Sequence, residues 1–333
     1  MHLARTHPII RPKKRADRHP SLRGRGAAFE QETIAKYNHR MPTYKIATPE
    51  DFSFKHTVYG HGWCDLAPFG LDETTWTLNY VFPAGKSAVP VRITGDSGRI
   101  KIKAANDLLD KTSIVAGVRH ILRLDESLEG FYDLASVDEP LAWTADARAG
   151  RLLRSPTVFE DLVKTLCTTN CSWALTKKMV ANLVEKLGNE APDGSRAFPD
   201  AARMAAQTPE FYREGVRAGY RSPYFHELAE KVASGEIDPE SWLTTDMPTP
   251  ELKKEIKNIK GFGDYAAENL LKLIGRYDGL ALDSWLRAQF YKKRNRERKC
   301  PDKKIERYYA KFGEWKGLAI WCDMTERWFD GKI

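Results

Sequence analysis

The stretch IKGFGDYAAENLLKLIGRYDGLALDSWLR, residues 259–287, opens with two glycines separated by one residue, Gly261 and Gly263. Glycine adopts backbone conformations closed to other residues and leaves room for a close neighbour. Apolar residues with helical spacing precede and follow the pair. The pattern predicts two helices, 250–258 and 264–275, joined by a tight hairpin.

The start of the second helix is a candidate anion site. Its first N–H groups have no partner within the helix, and the helix dipole makes that end positive. Gly261 and Gly263 place no side chain in front of those groups, so a phosphate can approach. A glycine cap between two ordinary helices is the alternative interpretation of this pair by itself.

A single carboxylate, Asp283, follows the hairpin and directly precedes a predicted helix, 284–293. An Asp in this position most often serves only as a helix N-cap. The chain from Arg287 to Lys316, however, holds twelve Lys and Arg against four acids. Such a run is usually a solvated face, but beside a phosphate-binding hairpin it predicts a surface for nucleic acid. Asp283 is then expected in a cleft beside bound DNA.

The distribution of charged residues along the sequence is more informative about binding partners than the net charge. The net charge is +8, and residues 1–27 alone hold eight Lys and Arg against one Asp. Residues 1–40 are therefore predicted to be a flexible basic tail, and Met41 is hypothesised to be the true start.

No apolar run is long enough to cross a bilayer, so no membrane partner is expected. The predicted location is cytoplasmic, with the nucleoid if the source is bacterial. Five scattered cysteines predict reduced thiols and no metal site.

Strand and helix patterns divide the chain. Segments 74–82, 88–94 and 98–104 are rich in β-branched and aromatic residues, within a β region predicted over 53–104, and helical spacing begins near 105. The predicted fold class is α+β, mostly α, with a small antiparallel sheet before a two-part helical body. The predicted units are the tail 1–40, a β-rich subdomain 41–135, and a helical core 136–333 with the hairpin at 250–275. The other predicted helices are 157–169, 172–187, 199–206, 209–215, 222–234, 302–312 and 314–329.

The order of these motifs resembles the helix-hairpin-helix DNA glycosylase superfamily, which contains 8-oxoguanine DNA glycosylase, endonuclease III and 3-methyladenine DNA glycosylase II. GFGDYAAENLLKL and LALDSW look like its hairpin and catalytic Asp, here Asp283. RSPTVFEDLVKTLCTTNCSW, residues 154–173, is similar to the turn that carries a gap-filling residue, here Asn170. AGYRSPY resembles the segment that supplies an aromatic wedge and an arginine, here Tyr220 and Arg221.

The resemblance implies an activity and a partner. Asp283 would stabilise an oxocarbenium-like sugar and activate water, while Asn170 and Tyr220 fill the space left by an everted nucleotide and Arg221 bonds the orphaned base. The partner is double-stranded DNA containing a damaged base, bound by a monomer. Gly261 and Gly263 would bind its backbone through main-chain amides.

Two positions depart from the superfamily. Tyr265 stands where bifunctional members carry a Schiff-base lysine, and neither Lys260 nor Lys272 occupies that position. A covalent imine needs such an amine, so the enzyme is predicted to be monofunctional. Ala281 replaces the glycine of the family's Gly-Pro-Asp. No iron–sulfur cofactor is implied, and the resemblance allows a monovalent cation at the hairpin.

The candidates for the damaged-base pocket are aromatic: Trp63, Trp173, Tyr265 and Trp285. Each residue is as often part of a core. The leading hypothesis is a monofunctional glycosylase for alkylated purines. An 8-oxoguanine-type enzyme for oxidised purines is favoured by GYRSPY and Asn170 and opposed by Tyr265, and a non-catalytic hairpin DNA-binding protein is opposed by Asp283.

Overall fold

A computed structural model describes residues 41–96, 98–329, 331 and 333. The predicted basic tail lies outside the described residues. Within them a five-stranded antiparallel sheet precedes a helical body, so the predicted α+β class is confirmed. Every helix in this part of the chain is too short or too polar to cross a lipid bilayer.

The sheet has one face on the core. In the strand Arg99–Ala104 the side chains of Ile100 and Ile102 are fully buried, whereas Lys101 and Lys103 are exposed. This alternation is expected of a half-buried antiparallel sheet. The strands are β1 Thr43–Ala47, β2 Gly70–Asp72, β3 Thr77–Ala84, β4 Ser87–Asp96 and β5 Arg99–Ala104, in the order β1-β5-β4-β3-β2.

Three details of the predicted β region were wrong. The predicted strand 74–82 begins later, at Thr77, because the Asp72 carboxylate accepts hydrogen bonds from the backbone N–H groups of Thr74 and Thr75 and holds a turn there. Part of the region, Phe54–Tyr59, is a helix. Strand β1 forms the sheet edge beside β5, although no strand was predicted there.

The helices follow the predicted segments closely. Thr157 caps its helix by accepting a hydrogen bond from the Glu160 N–H at 3.2 Å. The helices are α1 Phe54–Tyr59, α2 Lys111–Leu122, α3 Glu129–Ser136, α4 Ala142–Ala147, α5 Val158–Thr168, α6 Trp173–Leu187, α7 Ala201–Ala205, α8 Pro209–Phe211, α9 Ser222–Ala233, α10 Thr249–Lys257, α11 Asp264–Leu273, α12 Ser284–Arg294, α13 Asp302–Tyr309 and α14 Lys316–Thr325.

Two buried hydrogen bonds join the N-terminal half to α5. The Tyr80 hydroxyl on β3 donates to the Glu160 carboxylate at 2.6 Å, and the Trp63 indole N–H donates to Asp161 at 2.7 Å. Burial raises the pKa of Asp161 to about 6. One continuous cluster of buried apolar side chains runs from the sheet into the helices. These contacts hold Trp63 against the helical body.

Candidate active site

The two hairpin glycines serve different purposes. Gly261 has a φ of +93°, and a Cβ there would lie 2.6 Å from Leu166 Cδ1 and 2.9 Å from Tyr224 Cδ2. Gly263 has an ordinary φ of −91°, and a Cβ there would meet nothing within 4 Å. Gly261 is therefore required by the turn and its packing, whereas Gly263 leaves the N-terminus of α11 open to a ligand.

One acid stands at this N-terminus. Asp264 is exposed, and its Oδ1 lies 3.0 Å from Nζ of both Lys257 and Lys253. Hydrogen bonds from these two lysines lower the pKa of Asp264. The two lysines on α10 thus offset the negative charge of Asp264, and the main-chain N–H groups of α11 still present a positive end to a phosphate.

Asp283 is the N-cap of α12, and its Oδ1 accepts from the Leu286 N–H at 2.7 Å. The preceding loop is fixed by Glu268, whose carboxylate accepts from the Ala281 N–H at 2.6 Å. Ala281 has a φ of +51°, a left-handed conformation that favours glycine. The backbone at this position thus has the conformation suited to the glycine of the Gly-Pro-Asp pattern, although the residue is alanine.

The half-buried Asp283 side chain lies in the wall of a cavity of about 620 Å³. Three indoles of its lining contact each other, with ring centroids 5.5–6.3 Å apart: Trp285, Trp321 and Trp328. Trp173 also lines the cavity and is 39% exposed, with its N–H donating to Asp65 at 3.3 Å. Electron-rich faces around one carboxylate are suited to a planar base next to its sugar.

All the predicted pocket residues line this cavity together with Asp283: Trp63, Trp173, Tyr265 and Trp285. Trp63 is only 2% exposed, so it supports the wall more than it offers a surface. Burial, followed by the Asp283 charge, raises the pKa of Tyr265 to about 12. The Tyr265 hydroxyl therefore stays protonated at neutral pH.

Sequence reasoning missed part of the lining. Trp321 and Trp328 are seven residues apart at the end of the chain, a spacing that places two side chains on one side of a helical segment and could have marked them. His61 and Asn269 gave no such signal, since only the fold brings them to the cavity. His61 is 4% exposed, and burial together with the Lys272 charge lowers its pKa to about 3.

The predicted gap-filling residues meet at the surface next to the cavity. The Asn170 side-chain amide donates to the Tyr220 hydroxyl at 3.3 Å, and Tyr220 is 53% exposed. Asn170 has a φ of +45° and lies beside Cys171, which lines the cavity. Arg221, by contrast, is 3% exposed and donates to the backbone carbonyl and hydroxyl of Thr169. In this state its guanidinium braces the loop that carries Asn170.

Within the described residues, no group of three or more His, Cys, Asp or Glu side chains is arranged to hold a metal ion. The five cysteines are free thiols. A monovalent cation at the hairpin would use backbone carbonyls, and it stays a prediction.

Solved structures share this fold. MBOgg1, in complex with a low-affinity DNA ligand, aligns over 86% of this chain and 96% of its own with a TM-score of 0.69 and 22% identity. The 8-oxoguanine glycosylase/lyase of Clostridium acetobutylicum in its apo form covers 85% and 95% with a TM-score of 0.66 and 18% identity. The 3-methyladenine DNA glycosylase from Archaeoglobus fulgidus covers 86% and 99% with a TM-score of 0.69 and 18% identity.

The chain therefore has the fold of the helix-hairpin-helix DNA glycosylases, and the resemblance is confirmed at that level. Family models and curated proteins gave no match.

Proposed function

We propose that this protein is a monofunctional DNA glycosylase that receives an everted, alkylated purine in its tryptophan-lined cavity and hydrolyses the N-glycosidic bond with Asp283. The main support for this proposal is the position of Asp283, which lies in the wall of an aromatic cavity and caps the helix that follows the hairpin. A non-catalytic DNA-binding protein would need the hairpin but not this carboxylate.

The reaction divides charge between sugar and base. The C1′–N bond breaks, its electron pair goes to the base nitrogen, and the sugar becomes oxocarbenium-like. The Asp283 carboxylate stabilises that positive charge. A water then adds its oxygen to C1′, and its proton passes to Asp283 and on to solvent. The products are a free base and an abasic sugar with a hydroxyl at C1′.

Base eversion is the step that the surface residues assist. Extrusion of a stacked nucleotide costs a few kcal/mol, less for a damaged or mispaired base. We assign Asn170 and Tyr220 to the vacated space, because their side chains meet at the exposed edge beside the cavity. Arg221, which holds Thr169, keeps this edge in place and would have to leave Thr169 to bond the orphaned base. The open N-terminus of α11 is assigned to a backbone phosphate.

The absence of a lyase step is supported by where the lysines lie. Tyr265 occupies the position of the Schiff-base amine and offers only a phenol. Lys260 is 65% exposed and pairs with Glu227 at 2.7 Å. Lys272 is fully buried and does not line the cavity.

An oxidised purine is the second candidate substrate. Its support is the Asn170–Tyr220 pair beside Arg221, which resembles the arrangement of the oxoguanine enzymes. The aromatic lining serves either base, and Tyr265 in place of the lysine favours the alkylated one.

The test is a panel of duplex oligonucleotides, each with one lesion, incubated with the protein and then split into samples with and without hot alkali. Strand breaks only after alkali are expected, since base release leaves an intact abasic strand. Borohydride should trap no covalent complex. A trapped complex contradicts the monofunctional assignment, and a panel without any base release contradicts the glycosylase itself.

A further inference from the structure

Lys272 on α11 is a buried lysine without a polar partner. Its side chain is fully buried, and Nζ makes no hydrogen bond to any described residue. Lys164 is also fully buried, but its Nζ lies 2.6 Å from the Glu160 carboxylate. An unpaired ammonium in a protein interior is destabilising. A residue with this cost to stability is a candidate for a functional role.

The ammonium of Lys272 contacts a residue of the cavity wall. Its Nζ is 4.8 Å from the ring centroid of Trp321, and Trp321 lines the cavity whereas Lys272 does not. The charge therefore contacts a ring of the cavity lining without itself reaching the cavity. Asn269, one helical turn before Lys272, also lines it.

The ammonium of Lys272 is a positive group close to two carboxylates, Glu268 and Asp283. Burial lowers the pKa of Lys272 to about 8, with Glu268 and Asp283 opposing the shift, so the amine is mostly protonated at neutral pH. His61 is neutral there because burial and Lys272 lower its pKa to about 3. Cys322 is a neutral thiol, since burial raises its pKa to about 12.

Modified purines differ in the charge with which they leave. A purine methylated at N3 or N7 is cationic in the nucleotide and departs neutral when it takes the bonding electron pair. An uncharged purine departs as an anion and takes a proton from water afterwards. A nearby positive charge stabilises the anion and repels the cationic base. A cation over Trp321 also uses the ring attraction that a cationic base would seek.

We propose that Lys272 makes the cavity selective for uncharged modified purines by stabilising the negative charge that the base acquires as the C1′–N bond breaks. This inference rests on the proposed function: among alkylated purines it selects those that carry no charge, and it also admits the oxidised purine that is the second candidate substrate. Lys272 touches neither base nor sugar, so it acts through its charge alone.

The experiment compares wild type and Lys272→Met in single-turnover base release at saturating enzyme. The uncharged lesions are 1,N6-ethenoadenine and 8-oxoguanine, and the cationic lesions are 7-methylguanine and 3-methyladenine. Wild type should release an uncharged base. Lys272→Met should slow that release about tenfold or more, which is the order of magnitude expected for the loss of one charge acting through a protein interior. Release of a cationic base should stay equal or rise.

The ratio of the two rates comes from one protein preparation, so a misfolded fraction cancels. Lys254→Met removes a charge from the exposed side of α10 and should leave the ratio unchanged. Equal slowing of both lesion types overturns the inference, as does a wild type that releases only cationic bases. A wild type that releases no base at all overturns the proposed function instead.

Discussion

The carboxylate of Asp283 has a structural use and a proposed chemical one. Its Oδ1 accepts from the Leu286 N–H and so caps α12, while the side chain lies in the cavity wall. Asparagine caps a helix about as well as aspartate, but it carries no charge. This residue therefore permits a substitution that separates the two uses.

Asp283→Asn should lower the rate of base release by about 10³-fold, since both charge stabilisation and water activation depend on the carboxylate. Its melting temperature and its affinity for duplex DNA should stay near those of wild type. Single-turnover release and an equilibrium binding assay measure the two properties.

The matched control is Asp110→Asn, because Asp110 caps α2 by accepting from the Ser113 N–H at 2.9 Å and does not line the cavity. It should release base at the wild-type rate. An Asp283→Asn variant as active as this control contradicts the proposed mechanism.

Lys272 also sets a pH dependence of stability. Its pKa falls from 10.5 in the unfolded chain to about 8 in the folded protein, so the unfolded chain binds more protons between these values. Burial of Lys272 therefore lowers the free energy of unfolding. This destabilisation has its full size below pH 8 and disappears as the pH rises toward 10.5. Lys272→Met should be more stable than wild type at pH 7, and this gap should shrink by about 2.5 kcal/mol on going to pH 10.

Urea unfolding of both proteins at the two pH values measures the gap. Comparison of the variants cancels the titration of the groups that Lys272 does not influence. Lys254→Met, which alters an exposed side chain, should show no comparable pH-dependent gap. A gap for Lys272→Met that is the same at both pH values would mean that the amine is not perturbed by burial.

At the scale of the element, the hairpin between α10 and α11 distinguishes a folding glycine from a binding glycine. Gly261→Ala should destabilise the protein by about 1–3 kcal/mol, because a Cβ would clash with Leu166 and because the φ is positive. Gly263→Leu should keep the wild-type melting temperature, since its Cβ meets open space, but should weaken binding to all duplex sequences alike by blocking the helix N-terminus.

Thermal melts and binding to two unrelated duplexes test this pair. A Gly263→Leu variant that binds DNA like wild type would remove the hairpin from the interface. Sequence-dependent weakening would also contradict the assignment, since main-chain contacts to phosphate read no bases.

Local chemistry decided which elements could be predicted from sequence. The hairpin glycines and the cap at Asp283 each depend on residues within one turn, and their positions were predicted correctly. The start of β3 was missed because the Asp72 side chain holds a turn. Lys272 could not be recognised as part of the site, because its contact with Trp321, 49 positions later in the sequence, exists only in the folded chain.

At the scale of the whole molecule, the cavity is assembled from segments that are far apart in sequence. The loop at His61, the start of α6, the hairpin and α14 each contribute to its lining. Burial of Asp161 and Glu160 against the N-terminal half holds these parts together through Trp63 and Tyr80. Aromatic residues in such separate segments are ordinary core candidates in the sequence, and only the fold shows which of them share a cavity.

The last prediction concerns the basic residues that precede the described part of the chain. Residues 1–27 carry eight Lys and Arg against one Asp, whereas residues 41–333 form one compact unit that includes the whole cavity. A protein that begins at Met41 should therefore release base at the wild-type rate when enzyme is saturating. Its DNA affinity at low salt should be weaker, and log Kd should change less steeply with log salt, by about 0.9 for each DNA phosphate that is no longer neutralised.

Titrations at four salt concentrations with undamaged duplex measure this slope for both proteins. If the slopes are equal, the N-terminal charges do not contact DNA, and the salt dependence comes from the hairpin and the basic run after Arg287. If base release under saturating enzyme also falls, those residues take part in the reaction itself, which contradicts the assignment of the chemistry to the compact unit.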